Sequence, residues 1–237
     1  MNMSTENKVF ASSIVERIYE QIKAMSINYS LKPGHRINEI QLSKELGVSR
    51  TPVREALSRL NTEGFVRFAP GEGFYSRELN QKEVFDLYEL RLAIELRGVK
   101  LAVHRAKSAD IEALQRFLDE TGPGIGDRTR PELVGLDEAF HERLMQMSEN
   151  KELLRILRNV NERIQFVRWI AMDPGSRVRT QREHQEVLAA VLERNEDRAI
   201  QLLDKHISRR LETIVSAIRE GILYIYMRPE EKQMLAD

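Results

Sequence analysis

From Asn80 almost to the end of the chain, apolar residues recur at helical spacing, and the only strand-like runs are two short segments upstream of that point. The pattern rules out a sheet as the scaffold of the larger part of the chain. It predicts six helices, at about 81–105, 109–120, 131–148, 151–172, 177–194 and 196–226, where the bounds carry an error of roughly 2–4 residues. Asn80 and Glu83 read as a capping box for the first of these helices. Breaks fall at Gly122-Pro123-Gly124, at Asp173-Pro174-Gly175 and near Asn195. In the fourth helix Leu153, Leu157, Val160, Ile164 and Val167 alternate steps of four and three, a seam suited to a helical core.

The N-terminal part is patterned differently. Ser12 or Ser13 can cap a first helix whose apolar face is Ile14, Val15, Ile18, Ile22 and Met25, and Pro33-Gly34 breaks it. Asn38 with Gln41 opens a short helix through Leu42 to Leu46, and Gly47 ends it as a left-handed residue does. A third helix starts at Ser49 or Thr51 with Pro52 in its first turn, carries the stripe Val53, Ala56, Leu57 and Leu60, and stops at Gly64. Phe65-Val66-Arg67-Phe68 and Phe74-Tyr75-Ser76-Arg77 then flank the turn Ala69-Pro70-Gly71-Glu72-Gly73, a small hairpin. Helix, short helix, turn, helix and hairpin is the order of a winged helix-turn-helix.

The expected fold class is therefore mainly α, an N-terminal winged helix-turn-helix followed by an all-helical bundle. The expected divisions are the winged helix-turn-helix over 8–78, the helical domain over 80–227, and a tail over 228–237. A chain of 237 residues, 41% apolar and 31% charged, is long enough for two such cores. With no cysteine it needs no oxidising compartment and has no thiol ligand or nucleophile. No apolar run approaches the ~20 residues of a membrane span, and the polar stretch Met1 to Lys8 does not resemble a secretory signal. These features predict a cytoplasmic protein without a membrane partner.

Net charge is zero, from 37 basic and 37 acidic residues, which argues against a protein that coats nucleic acid. Between Lys32 and Phe68 the basic residues are Lys32, Arg36, Lys44, Arg50, Arg54, Arg59 and Arg67, against Glu39, Glu45, Glu55 and Glu63, a modest excess. Position matters more than sum. With the apolar stripe of the third helix turned inward, Arg50, Arg54 and Ser58 line the opposite face at i, i+4 and i+8. A recognition helix enters the major groove by its N-terminal residues, and arginine can pair bidentately with guanine O6 and N7. Ser49 and Thr51, at the positive helix end, are placed for phosphates, and Pro70 to Gly73 forms the wing tip.

In the helical half Asp137 and His141 stand i, i+4 on one helix, with His184 and His206 on two later ones. Three imidazoles and a carboxylate from three helices can converge inside a bundle. Such a donor set suits zinc, nickel, iron or copper, with zinc or nickel the leading choices. His35 and His104 are read as ordinary histidines. Two rival readings share these residues. One is a metal-dependent hydrolase, whose ion activates water at an open position. The other is an architectural DNA-binding protein with no effector, whose helical half only dimerises and whose interior is apolar.

The run Gly47-Val48-Ser49-Arg50-Thr51-Pro52-Val53-Arg54-Glu55-Ala56-Leu57, followed by Arg59-Leu60 and Glu63-Gly64-Phe65-Val66, resembles the signature of the GntR family of bacterial regulators. Leu31-Lys32-Pro33-Gly34 and Asn38-Glu39 through Leu42 fit it too. The resemblance implies a transcription regulator, not an enzyme, that binds palindromic double-stranded operator DNA as a homodimer. It makes Arg50 and Arg54 the operator readers and Gly73 the wing glycine. Glu72 departs from the family pattern, because a wing tip there is commonly basic or small and an acid repels phosphate. Asp137-Glu138-Ala139-Phe140-His141, with His184 and His206, is similar to the FadR-type effector domain called FCD, and six helices place it near the VanR-like branch. That likeness implies a divalent metal on Asp137, His141, His184 and His206 and a small organic or sugar acid as effector. Arg91 resembles an arginine that meets a ligand carboxylate in some members; the other partner within its reach is Glu95, one turn on.

Overall fold

The computed structural model describes residues 3–226, which fall into two compact units that divide between Leu79 and Asn80. The expected tail over 228–237 lies outside the described residues.

The first unit runs α1 (Met3–Ile27), α2 (Glu39–Glu45), α3 (Arg50–Thr62), β1 (Val66–Ala69) and β2 (Gly73–Ser76). Helix α1 begins well before Ser12 and Ser13, so neither serine caps it. No glycine or proline lies between Met3 and Ser13 to stop the helix there. Asn38 does cap α2, accepting from the backbone N–H groups of Ile40 and Gln41. Gly47 and Gly64 follow α2 and α3 at φ 65° and 82°, where a side chain would be strained. The core is made by Ile18 and Ile22 of α1, Leu42 of α2, the full α3 stripe of Val53, Ala56, Leu57 and Leu60, and Phe65, Val66 and Phe74 of the hairpin.

The hairpin is antiparallel, pairing Val66 with Ser76 and Ala69 with Gly73. A third edge, unforeseen in the sequence, joins it. Ile37 N–H donates to the Phe74 carbonyl at 2.8 Å and Ser76 N–H to the His35 carbonyl at 2.9 Å, with Arg36 opposite Tyr75. One bridge is too short to leave a period of two in the sequence.

Among the described residues the second unit holds six helices, α4 (Gln81–Arg105), α5 (Ser108–Thr121), α6 (Arg130–Gln146), α7 (Lys151–Ile170), α8 (Arg177–Leu192) and α9 (Glu196–Tyr226), with one 3-10 turn at Pro174–Ser176. Among the described residues no helix is long and apolar enough to cross a membrane. Asn80 caps α4 through Glu83 N–H, but the Glu83 carboxylate accepts from Arg163 at 2.8 Å in place of closing the expected box. A complete capping box stands instead at Thr129 and Glu132, before α6. The seam of α7 is buried at Leu157, Val160, Ile164 and Val167. The main apolar cluster joins Val99, Val103, Leu114, Phe140, Leu188 and Leu203, with contributions from five helices.

Helices α4 and α6 meet where α4 has no side chain. A Cβ on Gly98 would lie 2.4 Å from Sδ and 2.5 Å from Cε of the buried Met145. Gly98→Val should therefore destabilise the protein by about 1–3 kcal/mol, overpacking outweighing the gain in helix propensity. Adding Met145→Ala should recover part of that loss. Urea denaturation of the single and double variants checks this; independent, additive losses would mean that the two residues do not share the space.

Candidate functional site

Helix α6 presents Asp137 and His141 one turn apart, α8 presents His184, and α9 presents His206. All four side chains are buried, and one ligand atom from each lies within 4.8 Å of the others. His206 Nε2 is 3.3 Å from both His184 Nε2 and His141 Nε2, and His184 Nε2 is 3.4 Å from Asp137 Oδ1. Phe140 lies flat on His184, ring centroids 3.8 Å apart and planes within 9°, and so fixes that ring.

Carboxylates behind the rings decide which nitrogen carries hydrogen. His141 Nδ1 faces Glu95 Oε2 at 2.5 Å, and His206 Nδ1 faces Glu183 Oε2 at 2.8 Å. Glu183 is in turn paired with Arg209. An ionised carboxylate only accepts, so both Nδ1 atoms are donors. In the neutral rings both Nε2 lone pairs then point at each other across the cluster. Neither can donate to the other, and burial holds His141 and His184 below the usual histidine range, which favours the neutral form. Lone pairs that converge in this way suit a cation. Nitrogens about 2.0–2.1 Å from a tetrahedral ion stand about 3.3–3.4 Å apart, matching the observed separations. Asp137 supplies the fourth donor.

A belt of buried ions surrounds the cluster. Arg168 Nη2 donates to Asp137 Oδ2 at 2.6 Å, while Arg168 Nη1 reaches Glu138 at 2.8 Å and Asn161 Oδ1 at 3.4 Å. Arg91 Nε donates to Glu95 Oε1 at 2.5 Å. Burial pushes the Glu95 carboxyl up, but the Arg91 charge and the hydrogen bonds from His141 and Arg91 outweigh it and hold it at about 2. Arg91 thus takes the ion pair with Glu95, and it also borders a cavity of about 20 Å³ lined by Tyr88, Asp137, Arg168, Met172, His206 and Ile214. An architectural helical half would have an apolar filling here.

The Arg91–Glu95 pair is the one the i, i+4 spacing offered, whereas the contact of Glu95 with His141, and the parts of Glu183 and Arg168, carry no sequence period. Arg168 could have been found as the lone charge on the apolar side of α7. Glu183, beside His184 on a helix rich in charge, carries no signal.

In the first unit Arg50, Thr51, Arg54 and Ser58 are exposed, as the stripe required. Ser49 is the N-cap of α3 but makes no side-chain capping bond, so its hydroxyl is not committed to the helix. Gly73 sits at φ 107°, a conformation that favours glycine. At the wing tip the Tyr75 hydroxyl donates to Glu72 at 2.6 Å, and the carboxylate raises the phenol pKa. Arg59 is paired with Glu16 at 2.7 Å and lies over the Tyr19 ring, away from the line of Arg50 and Arg54.

Removing one partner of a buried ion pair typically costs about 3–5 kcal/mol. Arg91→Met should lower stability on that scale by stranding Glu95, and the fluorescence of Trp169, the only tryptophan, reports it from within α7. A loss below about 1 kcal/mol in urea melts would mean that the Arg91–Glu95 pair is not structural.

Comparison with known proteins agrees with this division. Residues 14–75 match the bacterial regulatory proteins of the gntR family, and residues 86–209 match the FCD domain. The Nta operon transcriptional regulator of Aminobacter aminovorans is 41% identical over 204 residues, 86% of this chain and 96% of that protein. The HTH-type transcriptional regulator YdhC of Bacillus subtilis is 34% identical over 207 residues, 86% of this chain and 92% of that one. Among solved structures, McbR/YncC of E. coli has the same fold at TM-score 0.65 and 20% identity, covering 86% of this chain and 97% of its own. A helix-turn-helix unit of one family joined to an FCD unit, in relatives that match over almost their whole length, fixes the assignment: the chain belongs to the gntR family of bacterial regulatory proteins, in its FCD-domain group, and is a transcriptional regulator.

Proposed function

We propose that this regulator binds an inverted-repeat operator in double-stranded DNA as a homodimer in the cytoplasm, and that its helical unit senses a small organic or sugar acid at a divalent metal. Arg50 and Arg54 read base edges, Ser49 and Thr51 hold phosphates, and Gly73 forms the wing turn. Asp137, His141, His184 and His206 hold the ion, zinc or nickel. The observation that carries the metal is the meeting of Nε2 atoms at 3.3 Å with both flanking Nδ1 atoms committed to carboxylates. With Asp137 in the fourth place, a tetrahedral ion keeps no open position for the water that a hydrolase needs, which favours a role in which the ion's charge attracts an acid beside it without activating water.

A bound divalent cation would supply positive charge to an acid's carboxylate. Arg168 and Arg91, which border the adjoining cavity, are the protein's own cations on that side. At about 20 Å³ the cavity holds about one water, less than any organic acid needs. Effector entry therefore requires Met172, Ile207 or Ile214 to give way. Such a ligand alters operator affinity only as far as it binds two states unequally.

Two outcomes test this. Chelation should lower the melting temperature, since an ion bound only by the folded state stabilises it by mass action, and His184→Ala should reproduce most of that loss. With the correct acid, wild type should change operator affinity by roughly 5–150-fold in gel-shift titrations, while His184→Ala binds DNA but does not respond. A variant that responds as wild type does would make the ion structural or absent. For the operator face, Arg54→Ala should cost about 1–3 kcal/mol and relax preference at one base step. Equal weakening on all sequences would reassign Arg54 to phosphate.

A further inference from the structure

Glu39 is out of place on a face that meets DNA. A carboxylate there repels phosphate, and the general benefit of an acid in the first turn of α2 would be met by an exposed one. Yet its side chain is only 14% exposed. Its Oε2 atom is shut off from solvent and, among the described residues, has no hydrogen-bond partner. The cation it faces is Arg54, whose Nη1 lies 3.9 Å from that oxygen. The other oxygen, Oε1, lies 4.0 Å from where a Cβ on Gly73 would stand, with Nε and Nη2 of Arg36 at 3.7 and 3.8 Å from the same point. Glu39 therefore stands where α2, the recognition helix and the wing turn come together, one oxygen beside the wing and the other turned to the reading arginine.

We propose that Glu39 is a positioning residue for base readout, which it serves by fixing the guanidinium of Arg54. The proposal rests on the reading of Arg54 as a base contact. Arginine has five N–H donors, and a bidentate contact to guanine uses two of them. The remaining donors can turn back to Glu39. In free protein the pair is loose at 3.9 Å and screened by water, since 61% of the Arg54 side chain is exposed. Docking on DNA expels that water and lowers the local dielectric, which strengthens the attraction and makes the bare oxygen more costly. Both effects draw Arg54 onto Glu39. A guanidinium held on one edge cannot swing to a phosphate or to the neighbouring base, so Glu39 lowers bulk affinity and raises discrimination.

The test starts from an operator selected by the full-length wild-type chain out of random double-stranded DNA, then substituted one base pair at a time. Affinities of wild type, Glu39→Gln, Glu39→Asp, Arg54→Ala and the Glu39→Gln/Arg54→Ala double variant are measured by fluorescence anisotropy, and melting temperatures confirm folding. Arg54→Ala should lose discrimination at one base step. Glu39→Gln and Glu39→Asp should each lower discrimination at that same step by roughly 3- to 20-fold and leave other positions unchanged, and Glu39→Gln should add nothing once Arg54 is gone. Glu39→Asp keeps the charge but shortens the reach, so a general charge effect would leave it like wild type. Wild-type discrimination in both Glu39 variants, or a loss spread evenly over all positions, overturns the proposal while Arg54 readout stands. If Arg54→Ala loses no step, the reading of Arg54 fails and this proposal fails with it.

Discussion

Burying ionisable groups in a helical interior is unfavourable unless each finds a partner, and the second unit is organised around meeting that condition. Within α4, Arg91 pairs with Glu95; the other counterweights come from neighbouring helices. Glu95 of α4 faces His141 of α6, Arg168 of α7 pairs with Asp137 of α6, His184 of α8 faces Asp137, and His206 and Arg209 of α9 share Glu183 of α8. A register shift of α6 against α4 or α7, or of α8 against α9, would strand a charge. Apolar packing of Val99, Phe140, Leu188 and Leu203 holds the helices together, but the ionic belt chooses one arrangement among those the apolar seams would tolerate.

The first unit works under the opposite constraint. Its charges are on the surface, where single pairs contribute little to stability. They matter by position. Arg59 is spent on Glu16 and the Tyr19 ring, and Glu72 is bonded to Tyr75. The basic residues left facing outward from α3 are Arg50 and Arg54, with Glu55 exposed beside them, on a helix whose inner stripe is fully buried. With only a modest basic excess between Lys32 and Phe68, counterion release along this unit is small. Discrimination through a few well-held side chains, as proposed for Arg54 and Glu39, suits that limit.

Much of this was legible before any coordinates. The α3 stripe, the glycines at φ 65° and 82°, the α7 seam and the six helical segments each follow from a local rule, periodicity or a left-handed stop, that acts within a few residues. Asp137, His141, His184 and His206 were legible too, because histidine is rare enough in this chain for the spacing to show. What stayed hidden depends on contacts between distant segments. Glu183 reaches His206 across two helices and Arg168 reaches Asp137 across two others, and neither pairing has a sequence period. The start of α1 was misplaced because serine can cap a helix yet is also tolerated inside one. Glu83 left its capping box because Arg163, far along the chain, offered a charged donor.

Departures from the local rules mark where each unit does its work. A core should be apolar, and here four polar groups converge with lone pairs facing one another. The surface that carries Arg50 and Arg54 should be basic, and beside Arg54 it holds a largely buried acid. On the readings proposed above, a cation would complete the first arrangement and a closer arginine contact the second. A group satisfied only in the bound state raises affinity for one ligand over its competitors more than a group already satisfied in the free state. The cavity beside Arg91 and Arg168 bears on the same question. Were the proposed acid to enter it, Met172 or Ile214 would have to yield, and binding would then favour one state over another, the requirement for any effector that is to alter affinity at another site.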